Sequence, residues 1–152
     1  MAVQFASWKG ATVYATASAN DLDFVRSLGA EKVIDYENER FEDVVSDLDM
    51  VFDTQGGETQ ARSFGVLRKG GILVSTLEPD EKKAAQMGVR AVPRWHAEPA
   101  ANSLGGVVRL IADGKIKVTV TQAFPLEKVR EAQHFAQTEH PRGKVILTGS
   151  QE

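Results

Sequence analysis

The sequence contains no cysteine, which excludes disulfide bonds and every zinc site built from thiolates. This absence agrees with a reducing compartment, and we expect a cytoplasmic protein. Histidine is scarce as well. His96, His134 and His140 lack the short helical spacing of a metal-binding pair, so we predict no metal site. No apolar run approaches the ~20 residues that span a bilayer, and we expect no membrane association.

An excess of charge of either sign is also lacking. The formal net charge is −3, and charged residues make up 26% of the 152 positions, as in an ordinary globular protein. Nothing in this balance favours a nucleic-acid partner or a charged lipid surface. A chain of this length corresponds to about one domain, and no repeat or linker divides it.

Strand-like and helix-like segments alternate along the whole chain. The strand-like runs are short and rich in β-branched residues, as expected for strands buried on both faces. They cover 11–16, 32–34, 50–52, 72–76, 89–95, 117–124 and 143–147. The helix-like runs cover 2–9, 19–28, 59–67, 101–113 and 126–138, with glycine caps at Gly29 and at Gly70-Gly71. The charged stretch 79–88 is predicted to be a loop. The alternation predicts an α/β fold with a doubly wound, mostly parallel sheet.

The order of elements at the start of this pattern is unusual. Residues 2–9 correspond to the second half of a helix that Gly10 ends, and a strand follows at once. In a doubly wound nucleotide-binding sheet, the N-terminus of this helix holds a pyrophosphate, after a first strand and a glycine-rich turn. Neither of these two elements is found in the sequence. We therefore predict one incomplete, N-terminally truncated Rossmann-like domain over residues 1–152, lacking its first strand and its glycine-rich turn.

Short motifs, each weak alone, occur in a fixed order along the chain. They are ATAS at 15–18, LGA and VIDY within 28–36, FDTQGGE at 52–58, KGGILV at 69–74, DGKIK at 113–117, FPL at 124–126 and RGKV at 142–145. Together they resemble the nucleotide-binding part of the zeta-crystallin-like quinone oxidoreductases, a zinc-independent branch of the medium-chain dehydrogenase/reductase family. The resemblance implies NADPH-dependent hydride transfer to quinones or α,β-unsaturated carbonyls, in a cleft shared with an N-terminal domain. The sequence corresponds to the nucleotide-binding half alone, so we expect no activity without the other half.

Two residues are candidates for contacts with the adenosine end of NADP. Ser18 follows the second strand of the family pattern, where a small hydroxyl leaves room for a 2′-phosphate, or it is the N-cap of the next helix. Tyr36 follows the third strand and resembles a family residue near the adenosine, or it is a partly buried aromatic at a strand end. Family members often carry a lysine shortly after the serine, whereas this chain has Asn20 and Asp21. A carboxylate there repels a phosphate and weakens the expected preference for NADP over NAD.

The other candidates lie at later strand ends and near the C-terminus. Because ligands of open α/β sheets bind at the carboxyl ends of the strands, the ends of the fourth and fifth strands of the family pattern are predicted to face the ribose and the nicotinamide. These candidates are Asp53, Thr54, Gly56, Ser75, Thr76 and Leu77. Gly56 would serve equally well in a tight strand-to-helix turn. Arg142 and Lys144 resemble a basic family contact to the cofactor or the cleft, or they are solvated surface residues. We identify no catalytic residue.

The segment from Val89 to Trp95 resembles the strand through which family members form dimers, and its proline suits a sheet edge. A missing central strand would also leave open edges that recruit a second copy or a swapped segment. We therefore expect a homo-oligomer or a swapped dimer. Without the glycine-rich turn, we expect weak or absent NADP binding by this chain alone. Three interpretations stay open: part of an NADPH-dependent reductase, a self-associating α/β module, and a degenerate short paralogue that binds another nucleotide-sized ligand.

Overall fold

The computed structural model describes residues 1–93, 103–139 and 141–149. Helices and strands alternate through these ranges. The helices are α1 (Ala2–Trp8), α2 (Leu22–Ser27), α3 (Gly57–Ser63), α4 (Glu81–Gln86), α5 (Ser103–Ala112) and α6 (Val129–Thr138). The strands are β1 (Tyr14–Ala17), β2 (Lys32–Asp35), β3 (Leu48–Asp53), β4 (Leu67–Ser75), β5 (Arg90–Pro93), β6 (Val120–Pro125) and β7 (Lys144–Thr148).

Every strand pair in the described ranges is parallel. β1 pairs with β2, β4 lies between β3 and β5, and β6 pairs with β7. A helix connects the paired strands each time: α2 joins β1 to β2, α3 joins β3 to β4, α4 joins β4 to β5, and α6 joins β6 to β7. Such crossovers are those of a doubly wound fold, and they confirm the predicted fold class. No strand of the described chain pairs with both β1 and β3, the two strands that would flank the predicted missing strand in the usual strand order.

Two clusters of buried apolar side chains hold the helices against the strands. The first surrounds Leu73 on β4, the middle strand of its sheet, and contains Phe64, Ala84 and Val89. The second covers the β1–β2 pair and contains Ala17, Ala30 and Val33. Leu73 and Val33 come from the runs 72–76 and 32–34 that predicted buried strands, whereas Ala17 lies one residue beyond the predicted run 11–16.

One face of the β3–β4–β5 sheet is apolar and partly uncovered. Met50 and Phe52 are 52% and 46% exposed, whereas Val51 between them packs on the first core cluster. Because side chains alternate between the two faces of a sheet, Met50 and Phe52 share the face opposite Val51. Their register partners on β4, Ile72 and Val74, are half-buried. We call the surface formed by Met50, Phe52, Ile72 and Val74 the open sheet face.

The prediction of a loop over 79–88 is wrong, because α4 lies within it. Asp80 caps this helix by accepting a hydrogen bond from the Lys83 N–H at 2.9 Å. Ala84 fixes the helix to the core and is only 2% exposed. A helix of six residues with one buried side chain shows little amphipathic pattern, so its charged residues dominate the sequence signal.

The glycines at 70 and 71 do not cap a helix, as the sequence predicted, but lie inside β4. Helix α3 ends earlier, at Ser63, and β4 runs from Leu67 with an irregular register against β3. Gly70 has φ +74°. A Cβ on Gly71 would stand 2.9 Å from the Arg68 carbonyl oxygen. Both positions require glycine because of a strand irregularity and not because of a helix end.

Gln4 on α1 contacts the segment between α5 and β6. Its side-chain amide donates to the Lys117 carbonyl oxygen at 3.0 Å and accepts from the Lys117 N–H at 2.8 Å. These two hydrogen bonds fix the first helix to a part of the chain that lies 113 positions away.

Candidate nucleotide-binding site

The carboxyl ends of β1 and β2 border a cleft of about 760 Å³. Three of the predicted cofactor residues, Ser18, Tyr36 and Arg142, line it together. Ser18 directly follows β1 and Tyr36 directly follows β2, and parallel strands present their carboxyl ends at the same edge of a sheet. Arg142 comes from the far end of the chain, shortly before β7. We call this the β1–β2 cleft.

Ser18 does not use its side chain to cap the helical turn that follows it. It occupies the N-cap position of the turn Ala19–Asp21, but its hydroxyl makes no capping bond to the backbone. Instead, the hydroxyl donates to Asp21 Oδ2 at 3.3 Å. Tyr36 is 59% exposed in the same cleft and is therefore not a core aromatic. The side-chain cap by Ser18 and the partly buried Tyr36 are therefore not observed, and ligand contact by either residue stays a prediction.

Arg142 is held above the turn after β1 by contacts that the sequence did not predict. Its Nε donates to Asp21 Oδ1 at 2.6 Å, and its Nη2 donates to the Asn20 carbonyl oxygen at 2.5 Å. The guanidinium carbon lies 6.0 Å from the centre of the Phe24 ring. Asp21 is thus paired with a cation. Arg142 and Asp21 are 121 positions apart, so no local sequence pattern signals this pair.

A buried hydrogen-bond network centred on Asp53 joins the ends of β3 and β4. Asp53 is 4% exposed. Its Oδ1 accepts from the N–H groups of Gln55 and Gly56 at 2.9 and 3.0 Å. Its Oδ2 accepts from Gln60 Nε2 and from Ser75 Oγ, both at 2.8 Å. We call these contacts the Asp53 network.

The Asp53 network shapes the two loops that follow the strands. The Leu77 N–H donates to Ser75 Oγ at 3.0 Å, and Gln60 Oε1 accepts from the Asp80 N–H at 3.1 Å. Gly56 has φ +70°, and a Cβ there would lie 2.7 Å from Leu77 Cδ1. The positive φ therefore favours glycine at this position, whereas the contact is with the end of an exposed side chain that can move aside.

The predicted site residues at the ends of β3 and β4 differ in their exposure. Asp53 and Ser75 are buried beneath the edge of the sheet, whereas Thr54 and Leu77 are exposed on it. Thr76 is half-buried, and its N–H donates to the Asp53 carbonyl oxygen at 2.9 Å. A buried carboxylate with both oxygens hydrogen-bonded can position the loops, while the exposed members are those that can reach a ligand.

The Asp53 carboxyl is stabilised in its ionised form. Burial alone would raise the pKa of Asp53, but its hydrogen bonds, first from Gln60 and then from the backbone and Ser75, outweigh this effect and hold the pKa below its usual value. No motif in the sequence marks Gln60, which lies on α3 and is 5% exposed.

Two predicted features lie elsewhere or only partly within the described residues. Lys144 is the exposed first residue of β7 and does not line the β1–β2 cleft; its N–H donates to the Thr119 carbonyl oxygen at 2.7 Å. Part of the segment predicted to mediate dimer formation is a strand, β5 (Arg90–Pro93), and its role in association stays a prediction. Its continuation at Arg94 and Trp95 lies outside the described residues.

Residues 28–147 match the model of a protein family described as zinc-binding dehydrogenase. The chain belongs to this family. Over 95% of its length, it is 30% identical to the probable mitochondrial zinc-binding oxidoreductase of Arthroderma benhamiae, covering 46% of that protein. Over 89% of its length, it is 34% identical to the chloroplastic NADPH-dependent alkenal/one oxidoreductase of Arabidopsis thaliana, covering 33% of that protein.

A solved structure of a quinone oxidoreductase has the same fold as this chain. The quinone oxidoreductase of Coxiella burnetii superimposes with a TM-score of 0.86 at 29% identity, over 96% of this chain and 47% of that one. The chain thus spans half or less of the length of these relatives. The resemblance to the nucleotide-binding part of quinone oxidoreductases is confirmed.

Among the described residues, no three His, Asp or Glu side chains lie together as possible metal ligands. None of the described helices is long and apolar enough to cross a membrane. Independence from zinc and a cytoplasmic location stay predictions.

Proposed function

We propose that this chain is the cofactor-binding part of an NADPH-dependent quinone or enone oxidoreductase. The observation that carries the proposal is the gathering of Ser18, Tyr36 and Arg142 in one cleft at the carboxyl ends of two parallel strands. Ligands of open α/β sheets bind at this edge. Relatives described as an NADPH-dependent alkenal/one oxidoreductase and as a quinone oxidoreductase support the same chemistry.

In this proposal the two ends of the cofactor contact different strand ends. The adenosine ribose and its 2′-phosphate occupy the β1–β2 cleft beside Ser18 and Arg142. The nicotinamide and its ribose lie over the exposed Thr54 and Leu77, on the loops that the Asp53 network positions. When bound, the nicotinamide supplies the hydride, and the side chains of this chain bind and orient it.

We expect weak cofactor binding by this chain alone. The sequence contains no glycine-rich turn ahead of α1, and in Rossmann-like folds this turn and the helix N-terminus hold the pyrophosphate. Each charge-assisted hydrogen bond contributes roughly 1.5–3 kcal/mol. The loss of two or three of them lowers the affinity by several powers of ten. Reductase activity is accordingly expected only together with a second, substrate-binding part.

Titration with two half-cofactors tests this proposal. We expect adenosine 2′,5′-bisphosphate to shift the backbone NMR signals of Ser18 and Tyr36, and nicotinamide mononucleotide to shift those of Thr54 and Leu77. Tyr36→Ala should weaken the binding of adenosine 2′,5′-bisphosphate by roughly threefold or more, because an exposed aromatic contact is lost. It should leave the binding of nicotinamide mononucleotide unchanged. Tyr14→Ala removes another exposed tyrosine, on β1 but outside the cleft lining, and is the matched control.

Two results of this titration would contradict the proposal. One is that both half-cofactors shift the same set of residues, because the proposal assigns them to different strand ends. The other is that neither ligand shifts either set at millimolar concentration.

A second proposal concerns association. We infer that a second copy of the chain covers the open sheet face and the neighbouring strand edges, including the segment from Val89. Met50 and Phe52 expose about half of their surface there, and contiguous apolar surface of this kind marks an interaction site.

Sedimentation should give a mass above that of the monomer, and Phe52→Glu should shift it toward the monomer. Leu126→Glu, at a residue 55% exposed beyond β6, is the control. A monomeric wild type would contradict the inference.

A further inference from the structure

The β1–β2 cleft contains more negative than positive charge. Asp21, Glu37 and Glu139 line it, and Arg142 is the cation among the lining residues that the structure describes. A phosphate group on a ribose would carry between one and two negative charges into this cleft, against three carboxylates. Recognition of such a group therefore depends on Arg142.

Arg142 is presented in a way that suits an anion. Its side chain is 52% exposed, and its bonds to Asp21 and Asn20 use Nε and Nη2. The remaining N–H groups of the guanidinium have no hydrogen bond to another described residue. The planar arrangement of these donors matches the oxygens of a phosphate. The Phe24 ring centre lies 6.0 Å from the guanidinium carbon, at the outer range of a cation–π contact.

Asp21 holds the same two groups that a phosphate would use. Its Oδ1 accepts from Arg142 at 2.6 Å, and its Oδ2 accepts from the Ser18 hydroxyl at 3.3 Å. The Asp21 side chain is 35% exposed. Ion pairs between such exposed side chains contribute little to stability, so an incoming anion can replace the carboxylate at small cost.

We propose that Asp21 is an internal competitor that a 2′-phosphate displaces from Arg142 and Ser18. Arg142 then distinguishes a 2′-phosphorylated ribose from a plain one, and Asp21 limits the size of that preference. This inference rests on the proposed cofactor-binding function and specifies its selectivity. It also changes the role of Asp21, which the sequence suggested was only a repulsive charge.

The test compares adenosine 2′,5′-bisphosphate with adenosine 5′-monophosphate, which lacks the 2′-phosphate, by NMR titration of the full chain. Asp21→Asn should raise the affinity for the bisphosphate by roughly threefold to tenfold and leave that for the monophosphate unchanged within about twofold. Arg142→Gln should lower the affinity for the bisphosphate by roughly tenfold and abolish the selectivity. Asp23→Asn is the matched control, because it removes the same charge from a pair with Arg26, at 2.6 Å, that does not involve the cleft arginine.

Several outcomes would overturn this inference. Equal gains from Asp21→Asn and Asp23→Asn would show an effect of net charge alone. Selectivity that survives Arg142→Gln would assign 2′-phosphate recognition to another residue. If both nucleotides bind the wild type equally, this inference fails while the proposed function stands. If neither nucleotide binds any variant, both fail.

Discussion

Replacement of Asp53 by alanine is expected to lower the free energy of unfolding by roughly 3 to 5 kcal/mol. The substitution leaves four donors without their acceptor: the N–H groups of Gln55 and Gly56, the Gln60 amide and the Ser75 hydroxyl. Because these groups are buried or half-covered at the edge of the sheet, water cannot replace the carboxylate without rearrangement of both loops. Urea denaturation measures the loss.

The control for this prediction lies on the same strand. Asp49→Ala removes a carboxylate whose side chain is 84% exposed and which pairs with Arg68 at the surface, and it should cost less than about 1 kcal/mol. Equal losses at positions 53 and 49 would contradict the positioning role of the buried residue. The loss of stability in Asp53→Asn should fall between those of the two alanine variants. An asparagine keeps one oxygen but places an NH₂ group against donors.

Acidification should reduce the difference in the free energy of unfolding between the wild type and Asp53→Ala. Because the pKa of Asp53 in the folded chain lies below its ordinary value of 3.8, the carboxylate stabilises the fold above that pH. This stabilisation is lost as the pH falls through 3.8 toward the lower folded pKa. The wild type should therefore lose more stability than the variant below about pH 4.

Replacement of Gly143 by alanine is expected to cost about 3 kcal/mol or more, through overpacking against backbone. A Cβ at this position would clash with the carbonyl oxygen of Thr119 and would stand 2.8 Å from its carbonyl carbon. The same carbonyl oxygen accepts the Lys144 N–H at 2.7 Å, at the start of the β6–β7 pairing. Relief of the clash therefore requires the β6–β7 pair to separate at this end.

Gly106→Ala provides the opposite expectation in the same part of the chain. Gly106 lies within α5, and a Cβ there has no heavy atom within 4 Å. Alanine should stabilise the helix by about 0.5–1 kcal/mol, because it restricts the unfolded chain and favours the helical backbone. Thermal unfolding of both variants gives the comparison. A neutral Gly143→Ala would show that the backbone near Thr119 yields easily.

The fold could be predicted from the sequence to the extent that it depends on local pattern. Val33 and Ile34 are buried in β2, as their β-branched run indicated. The pattern failed at Gly70, where a strand irregularity looks like a helix cap in sequence. It failed again at α4, where one buried residue, Ala84, decides the helix. Both errors arise because tertiary contacts determine the local structure.

The candidate site could likewise be predicted only in part. The shared cleft of Ser18 and Tyr36 could be predicted, because each residue directly follows a strand and parallel strand ends meet at one edge. The pairing of Arg142 with Asp21 could not, because it joins the two ends of the chain. The burial of Asp53 depends on partners from a helix and from a second strand, and neither is visible in its own motif.

The two-way contact between Gln4 and Lys117 has a further consequence. The primary amide of Gln4 presents the same donor and acceptor that a neighbouring peptide group would, so this side chain imitates one rung of a β-ladder. A carboxylate at position 4 could keep only the accepting half. Deuterium exchange at the Lys117 amide is therefore a direct reporter of whether the first helix is docked.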